Sequence, residues 1–154
     1  MKIGVISDTH GLLRPEAIEA LRGVDHILHA GDVGDTVILD QLGQLAPVTA
    51  IRGNVDHGGA CAQLPEVELV ELNGCIIYML HDVHALDLNP VAAGIRVVVS
   101  GHSHKPLIEW KKGVLYFNPG SAGPRRFSLP LSVGYLHIRK ERVEPELITL
   151  DDDH

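Results

Sequence analysis

Five apolar stretches of this chain each run directly into metal-ligating or amide residues, and this limits the possible folds more than any other feature. Residues 2–7 (KIGVIS) lead to Asp8 and His10, 25–30 (DHILHA) to Gly31-Asp32, and 47–52 (PVTAIR) to Gly53-Asn54. Further on, 75–80 (CIIYML) leads to His81 and 95–100 (IRVVVS) to Gly101-His102-Ser103-His104. Each run has the length and character of a buried strand. Helical patterns separate the first three. Pro15 opens a short helix with Glu16 and Glu19 in its first turns and Ile18 and Leu21 on one face. Residues 36–45 form a second, with Ile38, Leu39, Leu42 and Leu45 inward. This βαβαβ rhythm predicts a parallel sheet flanked by helices. In such a sheet the C-terminal strand ends share one edge, where α/β proteins place their sites. Five clusters far apart in sequence are therefore expected to converge.

The second half is richer in strands. Residues 66–72 alternate, then Asn73-Gly74 gives a hairpin signal before 75–80. A short helix is expected around 87–93, and further strands at 107–110, 114–118, 132–139 and 143–149, with turns at Lys112-Gly113 and 139–142. Two packed sheets with helices outside is the expected architecture. At 154 residues, with no repeat or low-complexity linker, the chain reads as one domain over 1–150 and a solvated acidic tail over 151–154.

Charge narrows the partners. Thirteen Lys and Arg against 20 Asp and Glu leave −7. That disfavours an extended nucleic-acid surface or an anionic membrane surface, both of which need a positive field. No apolar run is long enough for a signal peptide core or a membrane span. Cys61 and Cys75 are too few for a disulfide scaffold, so a reduced, cytoplasmic protein is expected. The chain carries 10 histidines. Imidazole is the commonest transition-metal ligand.

The converging residues are two carboxylates (Asp8, Asp32), four imidazoles (His10, His81, His102, His104) and one amide oxygen (Asn54). Seven N and O ligands without a thiolate exceed the needs of one tetrahedral ion. They suit two first-row divalent metals, manganese first and Fe, Zn, Co or Ni as alternatives. Asp8 with His10, and His102 with His104, are spaced so that both members project the same way from an extended segment. Gly31, Gly53 and Gly101 allow tight turns beside these ligands. The bland reading of the same Asp and Asn residues is turn and capping chemistry.

D-x-H (8–10), G-D (31–32), G-N-x-D (53–56), a lone His (81) and G-H-x-H (101–104) together resemble the calcineurin-like metallophosphoesterase superfamily. The length and N-P-G-S at 118–121 resemble its small single-domain phosphodiesterase branch, which is also similar to the metallophosphoesterase-fold subunit of the retromer coat. The resemblance implies a four-layer α/β/β/α sandwich of two mixed sheets flanked by helices. It implies one metal on Asp8, His10, Asp32 and His104 and another on Asp32, Asn54, His81 and His102. It also implies a small phosphate-ester substrate, most simply a phosphodiester attacked by a metal-bridging hydroxide. The alternatives are a phosphomonoesterase and a metal-binding interaction scaffold with little catalysis. Many superfamily members place a general-acid His after the ligand Asn. Here Val55 stands there, and His57 is the candidate replacement. Asp82 stands where the branch usually has Gly.

Other residues keep two readings. His84 rivals His81 as the ligand after strand 75–80. His26 and His29 read as packed or hydrogen-bonded, with support of Asp32 the alternative for His29. His137 reads as structural and His154 as tail. Arg125 and Arg126 are either a solvated pair or a phosphate clamp. Asn118-Pro119-Gly120-Ser121 reads first as a turn, bordering the site by resemblance. Lys111-Lys112 reads as an exposed hairpin tip, Trp110 and Phe127 as packing or oligomer contacts. A homo-oligomer stays open.

Overall fold

The protein is described here by a computed structural model of residues 1–126, 128–140 and 142–150. Phe127 and the tail 151–154, with His154, lie outside the described residues. In chain order the elements are β1 (Lys2–Ile6), α1 (Pro15–Ala20), β2 (His26–His29), α2 (Thr36–Gly43), β3 (Val48–Ala50), β4 (Val67–Leu72), β5 (Cys75–Leu80), β6 (Val97–Val99), β7 (Leu107–Lys111), β8 (Val114–Asn118), β9 (Ser132–Arg139) and β10 (Arg142–Thr149). Short 3₁₀ turns add Gly59–Gln63 and Val83–Ala85.

Two mixed five-stranded sheets result, ordered β10-β9-β1-β2-β3 and β4-β5-β6-β8-β7. In the first, β1, β2 and β3 are parallel through α1 and α2, and β9 and β10 add antiparallel pairs. In the second, β5, β6 and β8 are parallel and both edge strands antiparallel. The Asn73-Gly74 hairpin turn forms as expected, with φ of 52° and 79°. Pro15 starts α1, and the Asp35 carboxylate caps α2 by accepting from Val37 N–H at 3.0 Å.

Strand alternation directs Ile3, Val5, Leu28 and Ala30 onto Ile77, Met79, Val97, Val99 and Phe117 between the sheets. Ile6 and Ile27 face the other way, against Ala17, Leu21, Ile38 and Leu42 of the two helices. Burying each such aliphatic side chain contributes roughly 1.5–3 kcal/mol. The expected helix at 87–93 does not form. Pro90 has no N–H and disfavours helical backbone at Asn89, and Gly94 (φ 76°) stops the chain after one turn. That turn is closed by Ala93 N–H donating to Asn89 O at 3.1 Å and Ile95 N–H to Pro90 O at 2.9 Å. The outer layer of the second sheet is thus a 3₁₀ turn and this single turn, with Val83, Leu86 and Leu88 packed on Leu80, Ile95 and Val98. The layering is helical, sheet, sheet, turn-rich, which is the expected four-layer α/β arrangement with its last layer reduced.

The C-terminal ends of the parallel strands in both sheets meet at one edge. Gly101 N–H donates to His81 O at 2.9 Å, joining the ends of β5 and β6. His102 N–H donates to Asp8 Oδ2 at 3.1 Å and so crosses from one sheet to the other.

Candidate metal centre

The ligand-bearing loops prolong the sheet without being strand. Asp8 N–H donates to Gly31 O at 3.0 Å, His10 N–H to Asp32 O at 2.9 Å and Gly11 N–H to Val33 O at 2.8 Å. Within this ladder Asp8 (φ 58°), His10 (φ 47°) and Asp32 (φ 54°) are left-handed, as are His102 (φ 71°) and His104 (φ 64°). The expectation that residues 8–10 and 102–104 are extended is therefore wrong. Their side chains converge because alternate residues take a conformation that L side chains rarely adopt.

The side chains form two imidazole pairs about two carboxylates. His10 and His104 lie with ring centroids 5.5 Å apart, His81 and His102 at 5.3 Å. Asp8 Oδ1 is 3.5 Å from His104 Nε2, 3.7 Å from His81 Nε2 and 3.8 Å from His10 Nε2. Asp32 Oδ2 is 3.1 Å from His81 Nε2 and 3.6 Å from His10 Nε2. Each carboxylate thus lies near imidazoles of both pairs. Two sets have ligand atoms mutually within 4.8 Å: Asp8, His10, His104 and Asp8, Asp32, His81. Asn54 and His102 stand further out, joined to each other at 3.4 Å (Nδ2 to Nδ1).

Four buried polar atoms here have no hydrogen-bond partner: Asp8 Oδ1, His10 Nε2, His81 Nε2 and His104 Nδ1. Each such atom costs roughly 1–3 kcal/mol when left unpaired. His81 is moreover fixed in one tautomer, since its Nδ1–H donates to Ala30 O at 2.7 Å and leaves the Nε2 lone pair facing the carboxylates. Mixed imidazole and carboxylate donors suit borderline divalent first-row ions. The residues present fit a metal.

Charge coupling agrees. The Asp8 carboxylate raises His10 above the ordinary imidazole value, against the effect of burial. Burial lowers His81, but Asp32 and the Ala30 carbonyl outweigh it and the net shift is upward. Burial also works against ionised Asp32, yet His81 and the Val55 N–H, 2.9 Å from Asp32 Oδ1, hold its carboxyl far below the usual range. Burial lowers His104.

Several supports were not legible as such in the sequence. Asp56 is buried and accepts from Val33 N–H (3.0 Å), Gly34 N–H (3.0 Å) and Gly53 N–H (2.9 Å), tying the Asp32 loop to the Asn54 loop. Its only sequence signal is its place in G-N-x-D. His29 is fully buried, and burial pushes it down to about 4. Its neutral ring accepts from Gly31 N–H at Nδ1 (3.2 Å) and so donates from Nε2 to Thr9 Oγ1 (3.0 Å), which donates to Val33 O. It is a hydrogen-bonded core histidine that braces the loop before Asp32. Asn118 donates to Gly101 O at 2.9 Å and Ser121 Oγ to Asp8 O at 3.2 Å, so N-P-G-S borders the site from behind. A Cβ on Gly53 would lie 2.3 Å from Asp32 Oδ1, and one on Gly101 2.0 Å from Ser7 Oγ. Close approach is what these two glycines provide.

The remaining candidates separate. His84 lies outside the cluster, 91% exposed and 3.2 Å from Asp82 Oδ1, while His81 lies within it. Asp82 has ordinary backbone (φ −112°), caps the turn at 83–85, and places Oδ2 3.8 Å from His102 Nε2. Val55 is 43% exposed and His57 exposed, with no side-chain partner for His57 among the described residues. Arg126 is exposed at the rim, and its charge lowers both His10 and His104. Arg125 donates to Leu129 O at 3.4 Å. His26 pairs with Thr49 at 2.8 Å and His137 with Glu146 at 2.9 Å, both away from the site. Trp110 is 49% exposed on the edge strand β7.

Residues 1–141 match the calcineurin-like phosphoesterase superfamily domain. A probable metallophosphoesterase of Methanocaldococcus jannaschii is 37% identical, over 99% of this chain and 83% of its own. One from Methanothermobacter thermautotrophicus is 38% identical, over 96% of this chain and 92% of its own. Among solved structures, an archaeal phosphodiesterase superposes with TM-score 0.79 at 26% identity, over 96% of this chain and all of the other. Zinc-complexed Vps29 of Entamoeba histolytica does so with TM-score 0.77 at 21% identity, over 97% and 99%, a likeness of fold. The chain belongs to the calcineurin-like phosphoesterase superfamily.

Proposed function

We propose that this superfamily member is a dinuclear metal-dependent phosphodiesterase. The observation that carries the reading is the meeting of Asp8 Oδ1, His10 Nε2 and His81 Nε2, all buried and all without a hydrogen-bond partner, with His104 Nε2 at 3.5 Å from the same Asp8 oxygen. Asp8, His10, Asp32 and His104 would hold one ion and Asp32, Asn54, His81 and His102 the other, with manganese first among the candidates. When bound, such ions supply Lewis acidity and a nucleophile at neutral pH.

The chain's own residues do the rest. The ladder between 8–11 and 31–33 fixes the carboxylates in place, and the Ala30 carbonyl fixes the His81 tautomer. Asn54 and Arg126, both exposed, would stabilise charge on the phosphoryl oxygens. Arg126 is the arginine favoured for the phosphate clamp, because its charge already acts on His10 and His104. Proton donation to the leaving group is the weak point. Val55 offers no proton, and His57 lies in an exposed loop. General acid catalysis contributes about 10²–10⁴-fold where present, so esters with acidic leaving groups are the preferred substrates. Cys61 and Cys75 are buried free thiols, consistent with a cytoplasmic setting. No described helix is long and apolar enough to cross a membrane.

The test is a metal-by-substrate matrix. Stripped protein is reloaded with Mn, Fe, Co, Ni, Zn or Mg and assayed on aryl phosphomonoesters and phosphodiesters. Two ions per chain with turnover of the diester are expected. One ion per chain, or two with no turnover of any ester, would overturn the reading.

A further inference from the structure

Two clefts open from the candidate metal centre, and one side chain stands in both. The first, about 410 Å³, is lined by Asn54 and His81 together with Arg52, Glu66 and Asp87. The second, about 600 Å³, is lined by Gly101 and His102 together with Lys105, Lys111 and Tyr116. Asp82 lines both. It is held in place: Oδ1 accepts from His84 N–H at 3.0 Å and lies 3.2 Å from His84 Nδ1, leaving Oδ2 toward His102.

The clefts do not neutralise that charge. In the first, Arg52 is 3.5 Å from Glu66, and Asp82 and Asp87 line the same cleft, so one guanidinium is set among three carboxylates. In the second, Lys111 Nζ is 3.4 Å from Glu109, and Lys105 with Lys111 only balances Glu109 with Asp82. A third carboxylate beside Asp8 and Asp32 therefore lines the substrate space, where lysine and arginine are not in excess of Asp and Glu and its other neighbours are the imidazoles of His84 and His102.

We infer that Asp82 is a specificity-determining residue that selects singly charged phosphodiesters, with one organic arm in each cleft, over doubly charged phosphomonoesters. The inference rests on the phosphoesterase reading above. A diester brings one negative charge and two substituents, which the two clefts can divide. A monoester brings two charges and one substituent, leaving one cleft empty and the extra charge facing Asp82. One unit charge about 6 Å from another at the edge of water shifts an equilibrium by roughly tenfold.

The experiment compares manganese-loaded wild type with Asp82→Asn and Asp82→Ser, the latter keeping a side-chain cap for the turn at 83–85. Bis(p-nitrophenyl) phosphate and p-nitrophenyl phosphate share a leaving group and differ in charge. The monoester-to-diester ratio of kcat/KM should rise about tenfold in both variants. Calorimetry gives a readout without turnover: inorganic phosphate should bind about tenfold tighter to both variants, and dimethyl phosphate should change much less. Unchanged ratios together with unchanged phosphate affinity would overturn the inference. If wild type cleaves neither ester, the phosphoesterase reading fails, and the phosphate arm alone then decides whether Asp82 repels a second charge.

Discussion

Removing the Asp56 side chain should loosen two ligand-bearing loops at once. In Asp56→Ala three backbone N–H groups lose their acceptor: Val33, Gly34 and Gly53, at 3.0, 3.0 and 2.9 Å. The bond to Val33 is buried, and the other two are partly so. A fully buried orphan costs roughly 2–3 kcal/mol and a group that water reaches about 1, so a loss of about 4–5 kcal/mol is expected. Asp56→Asn should be milder. Oδ2 alone serves Val33 and Gly53, so an amide with its oxygen there keeps two bonds and turns its NH₂ toward Gly34. About 1–2 kcal/mol is expected for that variant. The assay is urea unfolding of metal-free protein. With a slope of about 1–3 kcal/mol per molar, the alanine variant should unfold roughly 2 M earlier than wild type. Small domains hold about 5–15 kcal/mol, so both variants should still fold. Manganese affinity should fall in the same order, because Asp32 and Asn54 lie on the untied loops. Equal stability in all three proteins would refute the account of Asp56 as the tie.

Gly53→Ala should keep the fold but weaken metal binding at least tenfold, since the added Cβ falls 2.3 Å from Asp32 Oδ1; calorimetry with manganese checks this, and wild-type affinity would show that the loop yields. His29 should make metal-free protein acid-sensitive. Its folded value is about 4 against an ordinary 6.5, so its stabilising share is fully present above 6.5 and is lost as pH falls toward 4. The loss is up to roughly 3 kcal/mol, and the stability gap between wild type and His29→Gln should shrink accordingly between pH 7 and pH 4.5. A constant gap would show that His29 is not held neutral. Val55→His should speed alkyl diesters more than aryl ones, because an aryl oxide leaves unprotonated and an alkoxide does not. A wild-type rate insensitive to leaving-group pKa, also in His57→Ala, would mean that a proton donor other than these two operates.

Strand ends were the legible part of this chain. Apolar runs stopping at Asp8, Asp32, Asn54, His81 and His102 report backbone order directly, because parallel strands put their C-terminal ends on one edge. Asn73-Gly74 was legible for a similar local reason. What escaped depends on contacts between distant segments. The periodicity at 87–93 reads as helix, yet Pro90 and Gly94 confine it to one turn. His29 looks like any strand histidine until Thr9 and Gly31 are found beside its ring. Arg126 cannot be told from Arg125 by composition; only the position of its charge relative to His10 and His104 separates them. Asp56 has no periodicity to mark it, since its three partners come from two loops 20 residues apart in the chain.

The left-handed backbone is distributed unevenly along this chain. Asn73, Lys112 and Lys140 also have positive φ, but they lie in hairpin turns where a glycine would serve as well or better. Asp8, His10, Asp32, His102 and His104 are different. Each holds a conformation costing about 1 kcal/mol or more for an L residue, and each does so where its side chain meets the others. Glycine would relieve every one of these positions and remove a candidate ligand each time. The chain does use glycine next to them, at 31, 53 and 101, where a Cβ would fall within 2.6 Å of His81, Asp32 or Ser7. At this edge of the sheets, strain therefore falls on the candidate ligands and is avoided at the glycines beside them. Simple turn chemistry would distribute it the other way, placing glycine at the left-handed positions and polar side chains at the unstrained ones. At this edge the distribution of backbone cost thus agrees with the side-chain chemistry in favouring a metal centre.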